Sequence, residues 1–116
     1  MQSLWIGIGC RRGISRETIE TAIAQVFDQY KLSANHIAGL ATVDRKFDEI
    51  GLLEYCEAHH VPLLLFSVEK LSTIAVPNPS LDRPSVAEAA AILASGSTHL
   101  IVPKQVIEHR VTIAIA

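Results

Sequence analysis

The chain has 116 residues, enough for one hydrophobic core but too few for two, so we predict a single domain over residues 1–116. Hydrophobic residues make up 49% of the chain and charged residues 19%, which excludes intrinsic disorder and a coiled coil. Ten basic and twelve acidic residues give a net charge of −2, which argues against a broadly basic surface for nucleic acid or membranes.

The first half of the chain predicts strands that alternate with helices. A buried strand is predicted from Ser3 to Gly9, then a helix capped by Ser15, then a second strand from Ile37 to Val43. Asp44 is predicted to cap a second helix that runs to about Ala58. Its predicted inward-facing residues are Phe47, Ile50 and Leu53.

The middle of the chain predicts one strand, one short helical turn and one long loop. The strand is predicted from Val61 to Phe66, and Ser67 can cap a turn that ends at Leu71. Thr73 to Pro84 contains three prolines, so it is predicted to be a loop that serves as a functional flap or a mobile segment.

The end of the chain predicts a buried helix and two strands. The helix spans Ser85 to Ala94 and ends at Gly96, and the strands span Leu100 to Val102 and Val111 to Ala116. The link between these strands has no helical period, so the last strand is predicted to be antiparallel to its predecessor. The whole pattern predicts an α/β fold: a three-layer α/β/α sandwich with a mixed, mostly parallel sheet of about five strands.

The apolar segments and the cysteines indicate in which cellular compartment the protein is expected. The longest apolar stretch, Val61 to Phe66, is far shorter than the ~18–20 residues that span a bilayer. Arg11 and Arg12 follow the first apolar residues instead of preceding them, which is not the order of a signal peptide. Cys10 and Cys56 do not make a disulfide framework. We therefore expect a soluble cytoplasmic protein.

The turn between the first strand and the first helix combines glycines with basic residues. Glycines let a ligand approach backbone N–H groups closely, and the start of a helix favours an anion. Three of the ten basic residues, Arg11, Arg12 and Arg16, lie within six positions. The residues of this turn therefore predict an anion-binding loop, although solvated arginines are the simpler alternative. The turn comprises Gly7, Gly9, Cys10, Arg11, Arg12, Gly13 and Ser15.

Nucleotide motifs do not fit this turn, but a phosphatase motif partly does. The glycines miss the dinucleotide spacing by one residue, and no Lys–Ser/Thr pair makes a P-loop. Cys10 and Arg16 have the C-x5-R spacing of cysteine phosphatases, in which the arginines and the helix start would lower the cysteine pKa. Glu17 stands where a hydroxyl is expected, so a small loop residue remains the alternative for Cys10.

The five histidines do not predict a metal site. His59 and His60 are adjacent and point apart, while His36, His99 and His109 have no ligand spacing. We expect neither a metal nor a cofactor. Cys56 is predicted to lie in the core.

Several sequence blocks resemble one known family. They are Gly7-Ile-Gly-Cys-Arg-Arg-Gly13, Leu40-Ala-Thr42, Lys46, Asp48-Glu49, Leu52, Val76-Pro-Asn-Pro-Ser80, Ser85-Val-Ala-Glu-Ala-Ala-Ala91, Lys104 and Val111-Thr-Ile-Ala114. On these blocks the chain resembles, almost end to end, the cobalamin-biosynthesis CobE family, which shares its fold unit with the C-terminal domain of CbiG. It departs from the family between Ser80 and Ser85, where it is several residues shorter.

The resemblance implies a role in making the corrin ring of vitamin B12. CbiG is a cobalt-precorrin-5A hydrolase that opens a lactone, so an enzymatic role for this chain would be hydrolysis of a corrin-precursor lactone. The implied partners are a tetrapyrrole intermediate and another cobalamin-biosynthesis protein or an N-terminal hydrolase half. A corrin precursor carries carboxylates around its ring, and each charge-assisted hydrogen bond to one contributes about 1.5–3 kcal/mol. The implied substrate-binding residues are Gly9, Cys10, Arg11, Arg12, Gly13, Ser15, Thr42, Lys46, Glu49, Ser85, Glu88 and Lys104.

Several of these residues also have simpler structural explanations. Lys46 and Glu49 have the spacing of an ordinary surface ion pair on a helix. Glu88 completes a Ser85-x-x-Glu88 capping box, in which the glutamate returns a hydrogen bond to the cap residue. Thr42 can be a turn hydroxyl, and Lys104 a solvated side chain.

Overall fold

A computed structural model describes residues 3–74 and 85–116. Most of the loop predicted from Thr73 to Pro84, including the shortening after Ser80, lies outside the described residues. The strands are β1 (Leu4–Cys10), β2 (Ile37–Val43), β3 (Leu63–Phe66), β4 (Val102–Ile107) and β5 (Val111–Ile115). The α-helices are α1 (Arg16–Gln29), α2 (Ile50–His59), α3 (Val68–Ser72) and α4 (Val86–Ser95), and Ala34–His36 and Asp44–Lys46 form 3-10 turns.

The five strands form one mixed sheet in the order β3-β2-β1-β5-β4. β1, β2 and β3 are parallel, and β5 is antiparallel to both β1 and β4, so four strands run in the same direction. One face carries Leu4, Ile6 and Ile8 against α1 and α2, and the other carries small residues such as Ala114 against α4. The predicted α/β sandwich and the antiparallel last strand are confirmed.

Local signals located the caps and several boundaries correctly. The side chains of Ser15, Ser67 and Ser85 accept hydrogen bonds from the first turns of α1, α3 and α4. Gly96 ends α4 with a φ of +71°, a left-handed conformation that glycine adopts at little cost. β2 has the predicted bounds Ile37–Val43. Each of these features depends only on residues close together in sequence.

Gly7 lies inside β1, where its role is packing. A Cβ atom at this position would lie 2.8 Å from the backbone nitrogen of Ala91 and closer still to the carbonyl oxygen of Ala87. α4 therefore rests directly on the β1 backbone, and its alanines allow this close approach. The prediction that Gly7 helps to admit a ligand is wrong, because α4 fills that space.

The second helix begins later than predicted. Asp44–Lys46 form a 3-10 turn, and α2 starts only at Ile50 because Lys46 and Glu49 turn inward, with 8% and 4% exposure. The inner face of α2 consists of Gly51, Leu52, Tyr55 and Cys56. The residues predicted to face inward are exposed instead: Phe47, Ile50 and Leu53.

The last hairpin is longer and tighter than predicted. β4 spans Val102–Ile107, not Leu100 to Val102, and has a bulge between Val102 and Gln105. Glu108 and His109 form the turn with φ values of 54° and 56°. Such turns usually contain Asn or Gly, so this sequence carries no recognisable signal for one.

Burial of Tyr55 and Cys56 predicts a loss of stability in alkali. Burial raises the pKa of Tyr55 to about 12 and that of Cys56 to about 11, from ordinary values of 10.0 and 9.0. The folded state therefore holds these protons where the unfolded state releases them, so stability is full below about pH 9 and falls above it. Urea unfolding across this range should show the decline, with a shallower slope for Tyr55→Phe/Cys56→Ala. An equal slope in the two proteins would contradict this assignment.

Candidate functional site

Five segments meet at one edge of the sheet, which we call the carboxyl edge. β1, β2 and β3 all end there, and residues 11–15, 44–49 and 67–68 follow them. The β4–β5 turn joins this edge, because Cys10 pairs with Val111 and the Arg11 N–H donates to the Arg110 carbonyl at 3.4 Å. Ser85, the cap of α4, lines a cavity with Val43. Ligands of open α/β sheets bind at such edges.

Two loops at this edge are held together by polar contacts that we call the clamp. The Gly13 N–H donates to Glu49 Oε1 at 2.6 Å, and Lys46 Nζ donates to the Cys10 carbonyl. The Arg12 guanidinium donates to both Asp48 carboxylate oxygens, at 2.8 and 3.2 Å, and lies 3.4 Å from Glu49 Oε2. The clamp therefore joins residues 10–13 to residues 46–49.

The clamp changes the expected electrostatics of residues 11–15, which we call the glycine–arginine loop. The Glu49 carboxylate already occupies the Gly13 N–H, which was predicted to face an anionic ligand. The Asp48 carboxylate raises the pKa of Arg12, and the Arg12 guanidinium lowers the pKa of Asp48. Arg16 lies 3.5 Å from Glu20. Two of the three clustered arginines are thus paired with acids, and Arg11 carries the exposed charge at the start of the loop.

Lys46 and Glu49 are not the surface ion pair that their spacing suggests. Both side chains are buried, and each forms a hydrogen bond across the clamp with the backbone of residues 10–13. Gly51 supports this arrangement, because a Cβ there would lie 3.1 Å from the carbonyl carbon of Ser15, so α2 presses on the start of α1. The two residues position the loop through hydrogen bonds between their side chains and the backbone of Gly13 and Cys10.

Cys10 does not have the chemistry of a phosphatase nucleophile. Burial raises the pKa of its thiol, Lys46 and Arg12 oppose that shift, and Glu49 adds to it. The expected lowering of this pKa is therefore wrong, and a thiol that keeps its proton is a poor nucleophile. The Gly13 N–H of the would-be phosphate cradle is also engaged by Glu49. These observations favour the simpler interpretation of Cys10 as a structural residue.

Thr42 and Glu88 lie inside the protein. Thr42 is fully buried, and its hydroxyl donates to the Ile8 carbonyl at 2.6 Å, so it is not a turn hydroxyl. Glu88 is 2% exposed and accepts from the Lys104 N–H at 3.2 Å, at the bulge of β4. The Ser85 hydroxyl accepts from the Glu88 N–H, so only half of the predicted capping box forms. Lys104 is half-buried within β4 and not at a strand end.

The remaining predicted residues support the loop without lining its centre. The Ser15 hydroxyl caps α1, where it accepts a hydrogen bond from the Thr18 N–H at 3.1 Å. A Cβ at Gly9 would come no closer than 3.9 Å to a neighbouring atom, so this glycine is not required by close packing. Gly13 has a φ of +80°, a conformation that favours glycine and that the clamp requires.

Sequence reasoning missed two arginines and an apolar cavity. Arg45 follows β2, and its carbonyl accepts from Arg12 at 3.4 Å, while Arg110 reaches the edge through the hairpin turn. A cavity of about 220 Å³ lies beside Arg45. Its lining is Val43, Arg45, Val68, Leu71, Ser72, Ser85, Val86 and Ala89. Only strand pairing brings these residues together, and no local motif marks them.

A second cavity of about 380 Å³ lies at the outer side of the clamp. Arg12, Asp48, Glu49, Ile50 and Glu54 are among its lining residues. No group of three potential metal ligands occurs within residues 3–74 and 85–116. In the same ranges, no helix is long and apolar enough to cross a bilayer.

Comparison with known proteins gives a clear family. Residues 4–116 match the family model described as cobalamin synthesis G C-terminus. The chain belongs to this cobalamin-biosynthesis family. A cobalt-precorrin-5A hydrolase from Priestia megaterium is 34% identical over an alignment of 119 positions, which covers 97% of this chain and 32% of that protein. The chain thus spans about a third of the length of that relative, and the resemblance inferred from the sequence blocks is confirmed.

Solved structures agree with this assignment. Cobalamin biosynthesis protein chiG from Agrobacterium tumefaciens has a TM-score of 0.80 at 30% identity, covering 97% of this chain and 95% of that one. CobE, from the cobalamin pathway, has a TM-score of 0.80 at 28% identity, covering 97% and 88%. A putative cobalamin biosynthesis protein G homologue from Sulfolobus solfataricus scores 0.75 at 28% identity, covering 98% and 36%. This CbiG C-terminal family member therefore functions in cobalamin biosynthesis.

Removing the Glu49 carboxylate tests the clamp in this family member. Glu49→Ala is expected to lower the free energy of unfolding by about 2 kcal/mol, because it deletes a buried charge-assisted hydrogen bond to Gly13. Glu49→Gln keeps an acceptor and should cost clearly less. Asp48→Ala, at a carboxylate with 49% exposure, should cost least. Urea unfolding of the three variants measures this order, and equal losses for Glu49→Ala and Asp48→Ala would contradict it.

Proposed function

We propose that this chain binds an anionic corrin precursor, a precorrin or cobalt-precorrin, at its carboxyl edge and presents it for conversion or transfer. One observation carries the proposal. Arg11, Arg45 and Arg110 are exposed at this edge, and the acidic residues in the described part of the chain form no ion pair with them. Exposed guanidinium groups suit a ligand that carries several separated carboxylates.

The cavity beside Arg45 supports the same ligand class. Its lining includes the apolar side chains of Val43, Val68, Leu71 and Ala89. A corrin precursor has apolar ring faces and a carboxylate periphery, so an apolar cavity next to exposed arginines matches both parts. The cavity is smaller than a whole macrocycle, and we expect one edge of the ring to enter it.

The clamp residues have a positioning role in this proposal. Lys46 and Glu49 are buried and hold residues 10–13 in place through backbone contacts. Arg12 remains exposed and can turn from Asp48 to a ligand carboxylate, because surface ion pairs are weak. Ligand contact is thus proposed for Arg11, Arg12, Arg45 and Arg110.

A second candidate function is that of the C-terminal part of a cobalt-precorrin-5A hydrolase, which needs the rest of that enzyme for turnover. The observation that favours it is the small share of two longer relatives that this chain matches. This chain matches only 32% of the Priestia megaterium hydrolase and 36% of the Sulfolobus solfataricus chain. Both candidates use the carboxyl edge, and they differ in whether binding alone is the function.

Calorimetric titration with two corrins tests the binding proposal. Cobyrinic acid carries free carboxylates around its ring, whereas cobinamide carries amides. We expect the chain to bind cobyrinic acid at least about tenfold more tightly than cobinamide, since each lost charge-assisted contact costs about 1.5 kcal/mol or more. Equal affinity for the two corrins, or no binding of either, would refute the proposal. The second candidate predicts no lactone hydrolysis by this chain until the rest of the hydrolase is supplied.

A further inference from the structure

The outer side of α2, together with Phe47 just before the helix, carries an apolar stripe that the fold leaves exposed. Phe47, Ile50 and Leu53 are spaced three residues apart and have exposures of 64%, 69% and 43%. We call these three residues the α2 stripe. The inner side of the same helix is also apolar, with Leu52 and Tyr55 buried. A helix that is apolar on both sides is normally covered on both sides.

The surroundings of the stripe have the composition of a protein interface. Glu54 and Glu57 are exposed along the same helix, so an apolar centre is flanked by acidic side chains. Ile50 and Glu54 also line the cavity outside the clamp, together with Arg12. An apolar centre with a charged rim is typical of a docking surface, and this one is continuous with the candidate ligand site.

The longer relatives indicate what covers the stripe. The family model describes a C-terminal region, and the matched part is 32% of the Priestia megaterium hydrolase and 36% of the Sulfolobus solfataricus chain. In those proteins about two-thirds of the polypeptide lies outside the matched region. A surface that is needed only in that setting would be exposed in the isolated domain, as the stripe is.

We propose that the α2 stripe docks the N-terminal part of a cobalt-precorrin-5A hydrolase. The surface of that partner which contacts the stripe is then apolar and rimmed by basic side chains, which complement Glu54 and Glu57. The partner then covers the cavity at the outer side of the clamp, next to Arg12, one of the residues proposed to contact the ligand. This proposal rests on the second candidate function and does not require that the chain alone binds a corrin.

Side-chain oxidation by hydroxyl radicals tests the proposal without any corrin present. The probe is the Priestia megaterium hydrolase with its matching third replaced by this chain, compared with this chain alone. Phe47 is expected to be oxidised at least about threefold more slowly in the chimera. Tyr30, 37% exposed at the end of α1 on the opposite edge, should react equally in both. Ile50→Lys should return Phe47 to its faster rate, whereas Val106→Lys, at a residue 54% exposed on β4, should not.

Three outcomes would overturn the proposal. Equal oxidation of Phe47 in the chimera and in the free chain would show that the stripe stays uncovered. Protection of Phe47 that rises with the concentration of the free chain would assign the stripe to a second copy. Rapid oxidation of Tyr55, which is buried in this fold, would show that the hydrolase does not accept the domain. Failure of corrin binding changes none of these readings, so the two proposals can fail separately.

Discussion

Replacing Gly7 with alanine is expected to lower the free energy of unfolding by about 3 kcal/mol or more. The added Cβ would overlap the backbone of α4, lying 2.8 Å from the Ala91 nitrogen and closer to the Ala87 carbonyl. Backbone atoms within a helix cannot move independently of their neighbours, as the end of a flexible side chain can. The whole of α4 must therefore move away from β1, and its contacts with the sheet weaken, chiefly those with β1, β2 and β5.

Gly9→Ala is the matched control for this prediction. It adds the same methyl group two residues later in the same strand, where the closest neighbouring atom would be 3.9 Å away. Urea unfolding followed by circular dichroism measures both variants. We expect Gly9→Ala to unfold close to the parent and Gly7→Ala to unfold far earlier. Similar midpoints for the two variants would show that α4 does not rest on the β1 backbone as described.

The double change Arg11→Ala/Arg12→Ala is expected to weaken binding of cobyrinic acid by at least about 100-fold. It removes two guanidinium groups that can each form charge-assisted hydrogen bonds with carboxylates at the carboxyl edge. It also leaves Asp48 and Glu49 without the cation that offsets them, so their charge repels an anionic ligand. Both effects act in the same direction.

Lys31→Asn provides the control for lost charge. Lys31 follows α1 at the opposite edge of the sheet and has a φ of 55°, which asparagine tolerates. Calorimetric titration should give the parent affinity for this variant and a large loss for the double variant. Urea unfolding of both proteins checks that each is folded. Full affinity in the double variant would remove the glycine–arginine loop from the site.

Much of the fold could be predicted from the sequence because its signals are local. A serine followed by an apolar period of 3.6 identifies a helix start, as at Ser15, Ser67 and Ser85. The start of α2 could not be predicted in this way. Asp44 has the chemistry of a cap, but tertiary contacts of Lys46 and Glu49 with the loop after β1 delay the helix. Those contacts join residues 36 positions apart, which no local pattern contains.

The sequence predicts that the turn after β1 lies at the carboxyl edge, but it does not predict which charges surround that turn. The turn after β1 does lie at the carboxyl edge, as glycines between a strand and a helix suggest. The charges counted along the chain overstate the positive potential of this turn, because the carboxylates of Asp48 and Glu49 approach it from another segment. The same limit concealed Arg110, which reaches the edge only through the pairing of β5 with β1. Side chains contributed by distant segments decide the net charge of this site.

Binding of a corrin at the carboxyl edge can be tested residue by residue. Backbone amide shifts of the labelled chain, recorded by NMR during titration with cobyrinic acid, test it most directly. We expect the largest shifts at Arg11, Gly13, Arg45 and Arg110, with little change at His36 on the opposite edge. Shifts that cluster around His36, or only on the α2 stripe, would contradict it.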